Sequence, residues 1–202
     1  MRGGTSKGAF FLSDDLPADP EERDALLLAV MGSPDVRQID GIGGATPLTS
    51  KVAVINRSVR SDADIDYLFL QVSVDQALVS DRQNCGNLLA AAAQFAVERG
   101  LIVVTGAHKS VRVYMSNTDS VATSTFPIKN GVPVYAGTTA IDGVPRPAAR
   151  VQLDFVNIAG GSCGALLPTG STVDQIDGVA ATMIDNGMPV VVMQSTDLGI
   201  TG

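Results

Sequence analysis

Histidine is almost absent from this chain, since His108 is the single one among 202 residues. A zinc site built from several histidines is therefore excluded, and a Ser-His-Asp or Cys-His catalytic arrangement would have to use that residue. Cysteine is nearly as scarce. Cys85 and Cys163 are too few for a disulfide framework, so we expect both thiols to be free.

Long apolar runs and positive charge are also lacking. No apolar segment approaches the roughly 18 residues that span a bilayer, and no signal-peptide core follows Met1. Fourteen basic residues against 21 acidic ones give a net charge of −7, which disfavours binding to nucleic acid or to anionic membranes. We therefore expect a cytoplasmic protein that must hold any anionic ligand through local hydrogen-bond donors.

The composition is able to bury a substantial core, with 45% hydrophobic and 17% charged residues. Most of the periodicity is that of β-strands, separated by Gly, Asp, Asn and Pro. Strands are predicted at 9–12, 52–55, 65–74, 102–105, 111–115, 132–135 and 151–156. A first, peripheral amphipathic helix is predicted at about 20–31, because Pro-Glu-Glu opens it and Gly32 ends it.

A second helix is predicted at about 86–99. Its residues 88–97 read Leu-Leu-Ala-Ala-Ala-Ala-Gln-Phe-Ala-Val, and a helix that is apolar nearly all round has to be enclosed. Because strands and helices do not alternate regularly, a doubly wound parallel sheet is disfavoured. We predict an α+β fold in which a curved, mostly antiparallel sheet wraps around this central helix.

Cys85 lies in Gln-Asn-Cys-Gly-Asn, immediately before the enclosed helix. Unpaired backbone N–H groups and the positive end of the helix dipole at that point favour the thiolate form. Asn84 and Asn87 could cap the helix or donate hydrogen bonds to a carboxylate. The plain alternative is a small buried cysteine beside an asparagine cap.

Lys51 follows a glycine-rich stretch and Thr49-Ser50, and it opens a predicted apolar strand. Partial burial there would favour the neutral amine, which can accept a proton. The alternative is a solvated lysine at a strand edge. ATP binding is disfavoured, because the stretch has no Gly-Lys-Ser/Thr at the spacing of a phosphate-binding loop.

Two more clusters combine glycine with hydroxyl groups. Residues 2–8, Arg-Gly-Gly-Thr-Ser-Lys-Gly, bring cations, hydroxyls and backbone donors together in a form suited to gripping a carboxylate, although a surface turn would look the same. Residues 161–170 are interpreted mainly as loop geometry, with Thr169 a minor candidate for ligand contact and Cys163 structural.

His108 is expected to be exposed and non-catalytic. Asp62, Asp64 and Asp66 are expected on a solvated strand face rather than in a calcium loop.

Taken in order, these motifs resemble those of a known family. They are MRGGTSKG, DGIGG with PLTSK, QNCGN, GSCGALLPTG, and IDNGMPVVVM with DLGITG. Together they resemble the PrpF-like isomerases over essentially all 202 residues. The sequences of the motifs look most similar to those of the 4-oxalomesaconate tautomerases of gallate breakdown. The resemblance implies a diaminopimelate-epimerase-like fold, in which two similar lobes enclose the active site.

The resemblance also implies a division of the chain. Residues 1–177 would form the N-terminal catalytic lobe without its first strand, and residues 178–202 would be the truncated start of a second lobe that is largely missing. We therefore expect a fragment that is poorly active alone. The resemblance leaves open a homodimer of the full-length protein.

By the same resemblance, Cys85 and Lys51 are the catalytic acid/base pair of a cofactor-independent isomerase that needs no metal. Its reaction would be a keto-enol or 1,3-allylic proton shift on a small unsaturated tricarboxylic acid, 4-oxalomesaconate first, in aromatic acid catabolism. The expected substrate-binding residues are Arg2, Gly4, Thr5, Ser6, Lys7, Thr49, Ser50, Asn84, Gly86, Asn87 and Thr169. Cys163 does not match the second catalytic cysteine of the diaminopimelate epimerases, which disfavours two-thiol racemase chemistry.

Three alternatives stay open. One is 2-methylaconitate cis-trans isomerisation within the same family. Another is a binding module that holds a carboxylate without turnover. The third is a cysteine hydrolase, which would require His108 within hydrogen-bond reach of Cys85.

Overall fold

The computed structural model describes residues 1–156 and 158–201. By its internal contacts the chain divides into two compact units, Met1–Asp154 and Phe155–Gly202. The boundary predicted at 177/178 refers to the lobes of longer proteins and stays a prediction.

The first unit is built on a nine-stranded sheet and three α-helices. The strands are β1 Arg2–Gly3, β2 Ser6–Leu12, β3 Lys51–Arg57, β4 Ile65–Val72, β5 Val79–Ser80, β6 His108–Met115, β7 Ser120–Lys129, β8 Val132–Pro133 and β9 Gln152–Phe155. The helices are α1 Pro20–Met31, α2 Gly86–Leu89 and α3 Ala92–Glu98. The sheet order is β1-β2-β3-β4-β6-β7-β8, with β5 on β4 and β9 on β7.

The sheet is mostly antiparallel, as predicted, with two parallel pairings, β2 to β3 and β4 to β6. Its central strands are covered on both faces, which explains why β3 reads as a continuous apolar run. Val52 and Val54 pack in a core with Leu27 and Met31 of α1. Ala53 and Ile55 point to the other face, in the core that includes the residues of α2 and α3. The predicted α+β class and the enclosed helix are confirmed.

Helix α1 has the predicted bounds because its signals are local. The carboxylate of Asp19 accepts the N–H groups of Glu21 and Glu22 at 2.9 and 3.1 Å, Pro20 occupies the first turn, and Gly32 ends the helix at φ 78°.

The helix predicted at 86–99 is two helices. Between them, Ala90 and Ala91 donate to the carbonyls three residues back, at 3.3 and 3.1 Å, so the chain tightens before α3 begins. The strand predicted at 102–105 is wrong, since that segment joins no ladder and Val103 is 87% exposed. Strand β7 was not predicted. Its buried residues alternate with less buried ones, as in a strand with one face in the core. One of the buried residues is the polar Ser124, which interrupts the apolar pattern in the sequence.

The second unit contains a three-stranded antiparallel sheet of β10 Asp174–Ile176, β11 Val179–Asp185 and β12 Pro189–Met193. Every residue of β12 is exposed within the described structure. A 3₁₀ turn follows at Ser195–Leu198.

Candidate active site

Cys85 is the N-cap residue of α2, and its own side chain caps the helix. The sulfur accepts the backbone N–H of Leu88 at 3.4 Å, and the side chain is 8% exposed. The hydroxyl of Ser6, which is buried on β2, lies 4.0 Å from the same sulfur. The Cys85 sulfur is therefore buried, with a helix N–H as donor and the Ser6 hydroxyl at the limit of hydrogen-bond distance.

The backbone of Cys85 is also fixed. Its N–H donates to the side-chain oxygen of Asn84 at 2.7 Å, and its carbonyl accepts the hydroxyl of Tyr67 at 3.1 Å. The amide of Asn84 in turn lies 2.9 Å from the sulfur of Met115. Burial, and secondarily the neighbouring Cys85, raises the pKa of Tyr67 well above its ordinary value, so this phenol stays neutral and donating.

The turn between β1 and β2 lies directly against the start of α2. The N–H of Thr5 donates to the side-chain oxygen of Asn87 at 3.3 Å. Gly3 is buried against the carbonyl oxygens of Asn87 and Leu88, where a Cβ would collide. Arg2 donates to the carbonyl of Gly4 at 2.6 Å. The glycine-rich turn and the QNCGN motif, predicted separately, are therefore adjacent.

A cavity of about 240 Å³ lies along this side of α2 and α3. Among the residues proposed to bind substrate, its walls include Arg2, Gly4, Gly86 and Asn87. Neither Cys85 nor Lys51 is among its lining residues, so the cavity reaches Gly86 beside Cys85 but contains neither candidate.

Lys51 is the first residue of β3 and is half-buried. Its amine donates to the side-chain oxygen of Gln71 at 3.0 Å and lies 4.9 Å from the centre of the Phe69 ring. Phe69 and Cys85 belong to the same core. Lys51 is paired with Gln71, which is two residues from Phe69 on β4, so the side chain of Lys51 lies on the same face of the sheet as Phe69. The two candidate catalytic side chains are therefore on the same face of the sheet.

The glycine-rich loop before Lys51 is braced from inside by Gln38, which sequence reasoning missed. Its side-chain oxygen accepts the N–H of Ala45 and the hydroxyl of Ser50, each at 2.8 Å. Ser50 is fully buried, so it could contact a ligand only if this loop moved. Thr49 is partly exposed and lies with the exposed Lys7 beside Gly44.

The remaining candidates are placed elsewhere. His108 is exposed, as predicted, and is the first residue of β6. Asp62 pairs with Arg60 and Asp64 with Arg112, and the described residues contain no cluster of metal-ligating side chains.

In the second unit, Thr169 donates its hydroxyl to Asp174 at 2.7 Å. Cys163 is an exposed free thiol whose N–H, with that of Ser162, donates to the buried carboxylate of Asp185, each at 2.7 Å. Sequence reasoning did not single out Asp185 as the residue that orders this loop.

None of the helices in the described part of the chain has the length and hydrophobicity needed to cross a membrane.

The fold by itself places the chain in a structural class. A probable proline racemase from Agrobacterium radiobacter has the same fold, with a TM-score of 0.52 at 14% identity over 91% of this chain and 43% of the other. The chain therefore has the fold of part of a protein of the racemase and epimerase type. The sequence then identifies the family: the chain belongs to the PrpF family, because the model of that family, described as PrpF protein, matches residues 1–202.

Among the curated relatives that match the whole chain, two are named for oxalomesaconate. The chain is 59% identical to the (4E)-oxalomesaconate Delta-isomerase of Novosphingobium sp. strain KA1 and 60% identical to the 4-oxalomesaconate tautomerase of Pseudomonas putida KT2440. It spans 57% and 56% of their lengths. A crystal structure of methylitaconate-delta-isomerase superimposes with a TM-score of 0.84 at 40% identity, covering all of this chain and 53% of the other.

Proposed function

We propose that this chain carries the proton-transfer residues of an isomerase that acts on a small unsaturated tricarboxylic acid, with 4-oxalomesaconate the first choice. The observation that carries the proposal is the setting of Cys85, whose sulfur is held by a helix N–H beside the Ser6 hydroxyl. The names of the two relatives that are 59% and 60% identical support the choice of substrate.

The proposed reaction gains and loses no atoms. Either Lys51 or Cys85 removes a proton from a carbon next to a carbonyl or carboxylate, and the electron pair moves into the conjugated system to give a dienolate. The other residue returns a proton to a different atom, a carbon in a 1,3-allylic shift or an oxygen in a keto-enol change. The proposal does not assign which of the two residues is the acid and which is the base.

The dienolate and the substrate carboxylates need positive or hydrogen-bond-donating surroundings. In a chain of net charge −7 these must come from local groups. We propose that residues 2–7, together with Asn84 and Asn87 at the start of α2, supply them. Thr169 is kept as a minor candidate in the second unit.

Two other functions have an observation in their favour. The structural match to methylitaconate-delta-isomerase favours a methyl-substituted acid such as 2-methylaconitate as the alternative substrate. A non-catalytic carboxylate-binding role is favoured by the cavity beside α2, whose walls include Arg2 and Asn87 but neither Cys85 nor Lys51.

The test compares the 202-residue chain with a chimera in which it replaces the matching part of the Pseudomonas putida relative. Each is given 4-oxalomesaconate or 2-methylaconitate in deuterated water, and proton NMR follows where deuterium enters. Deuterium at a new carbon indicates an allylic shift, whereas an enol product indicates tautomerisation. Turnover of either acid by the chimera supports an isomerase, and the faster acid identifies the substrate.

The chain offers matched controls for both residues. Cys85→Ser is paired with Cys163→Ser, and Lys51→Met with Lys129→Met, since Cys163 and Lys129 are exposed. We expect the first member of each pair to lose about 100-fold or more in kcat and the second to stay within about twofold. Full turnover by Cys85→Ser or Lys51→Met would overturn the proposal. Calorimetric binding of the acids without turnover would establish the carboxylate-binding alternative.

A further inference from the structure

Gln71 faces Lys51 directly across the sheet. The two residues are partners in the antiparallel pairing of β3 with β4, and the side-chain oxygen of Gln71 accepts from the Lys51 amine at 3.0 Å. The ring of Phe69 lies on another side of the amine, 4.9 Å from ring centre to nitrogen. These two contacts restrict where the amine can point.

The orientation of the Gln71 amide is fixed by its other neighbours. Its nitrogen donates to the carbonyl oxygens of Pro47, Ser50 and Val72 at 3.2, 3.0 and 3.3 Å. Carbonyl oxygens only accept, so the NH₂ group must face them and the oxygen must face Lys51. The same amide therefore ties the end of the glycine-rich loop to the position of the amine.

The partner of Lys51 is neutral. Within residues 1–156 and 158–201, none of the ion pairs involves Lys51. A carboxylate at this position would stabilise the ammonium form and oppose loss of its proton, whereas an amide oxygen orients the amine with a weaker preference. A residue that has to gain and lose a proton in each turnover benefits from such a partner.

We infer that Gln71 is the positioning residue for Lys51, because its neutral amide oxygen orients the amine without placing a negative charge beside it. The inference rests on the proposed role of Lys51 in proton transfer. It predicts that the charge of the side chain at position 71, and not only its size, determines how the reactivity of the Lys51 amine depends on pH.

The test measures Lys51 itself. The chain is acetylated competitively with acetic anhydride over a pH series, and mass spectrometry gives the rate at Lys51 relative to Lys129. We expect Gln71→Glu to move the midpoint of Lys51 acetylation upward by about one pH unit. Gln71→Met should produce no upward movement and should raise the rate at Lys51, because the amine loses its hydrogen-bond partner. Gln76→Glu, an exposed position with the same change in charge, should leave the midpoint in place.

Both Gln71 variants lose the donors to the loop carbonyls, so lower melting temperatures are expected in each and do not distinguish the explanations. An equal midpoint for Gln71→Glu and Gln76→Glu would overturn the inference. If Gln71→Glu does not fold, an unchanged acetylation rate in Gln71→Met would do so.

In the chimera, Gln71→Met should lower kcat about tenfold with KM little changed. If Lys51→Met loses turnover and Gln71→Met keeps it in full, the role of Gln71 is rejected and the role of Lys51 is not. Full turnover in Lys51→Met would reject the proposed function, while the acetylation series would still report on the contact.

Discussion

Tyr67 donates its hydroxyl hydrogen to the backbone carbonyl of Cys85 at 3.1 Å. The phenol is fully buried in the middle of β4 and reaches the residue that caps α2. A strand residue 18 positions earlier in the chain therefore helps to fix the backbone at the candidate thiol.

Tyr67→Phe should lower the free energy of unfolding by about 1 kcal/mol, because the Cys85 carbonyl keeps its second bond, from Leu89 at 3.0 Å. The raised pKa of Tyr67 adds a pH signature. The folded chain holds the phenol proton more tightly than the unfolded chain, so this contribution is present below the ordinary value of 10.0 and is lost as pH rises above it.

Urea titrations above and below that pH measure both effects. Wild-type protein should lose stability more steeply than Tyr67→Phe on the alkaline side. Gln76→Leu, which changes an exposed residue with no titratable group, should keep the wild-type slope. Identical slopes for wild type and Tyr67→Phe would contradict the assignment.

Gln38→Leu should destabilise the chain by about 2–3 kcal/mol. Leucine is close in size, but it leaves the N–H of Ala45 without its acceptor and removes one of the two acceptors of the buried Ser50 hydroxyl, which keeps the Thr46 carbonyl. Chemical denaturation measures the loss, and faster proteolysis within residues 40–50 should accompany it. Gln76→Leu is the exposed control and should change stability by less than about 0.5 kcal/mol. Equal effects at both positions would show that Gln38 does not brace the loop.

Gly3→Ala should cost about 1–3 kcal/mol, since its Cβ would collide with the carbonyl oxygen of Asn87 and lie 3.0 Å from that of Leu88. Both neighbours are backbone atoms, so relief requires movement of β1 or α2. Gly161→Ala is the control, because its nearest neighbour would be at an ordinary 3.6 Å. Thermal denaturation of the two variants should separate them clearly, and equal melting temperatures would count against the close packing at Gly3.

Asp64→Asn should flatten the acid side of the stability profile. Arg112 donates to the Asp64 carboxylate from its backbone N–H and its guanidinium, each at 2.8 Å, and this pairing lowers the pKa of Asp64. The contribution is therefore present above the ordinary value of 3.8 and is lost as pH falls below it. Melting temperatures over an acidic series should fall less in Asp64→Asn than in wild type, whereas the exposed Asp14→Asn should follow wild type.

The two cysteines should differ in their access to a bulky maleimide. Cys163 is exposed and Cys85 is buried, so native protein should be labelled at Cys163 about tenfold faster or more. Cys163→Ser should resist labelling until denaturant is added. Rapid labelling of Cys163→Ser under native conditions would mean that the N-cap at Cys85 opens readily.

Features encoded by neighbouring residues could be predicted from the sequence. Helix α1 is bounded by Asp19, Pro20 and Gly32, which act through hydrogen bonds and backbone angles within a few residues. The position of Cys85 at a helix start follows in the same way. The family could be identified because several specific motifs occur in a fixed order.

Features that depend on strand pairing could not. Ser124 faces the core because it lies at an inward position of β7, although its side chain is polar. The segment 102–105 is apolar but has no partner strand.

The same contrast holds at the candidate site. The sequence by itself determined the two candidate catalytic residues and the motifs around them, through local composition and the resemblance. The tertiary structure alone decided that Gln71 faces Lys51 and that Tyr67 reaches Cys85, because these partners are 20 and 18 residues apart in the chain and meet through strand register and burial. It also decided that Gln38 fills the loop, because that depends on how the segment folds back on itself and buries the side chain.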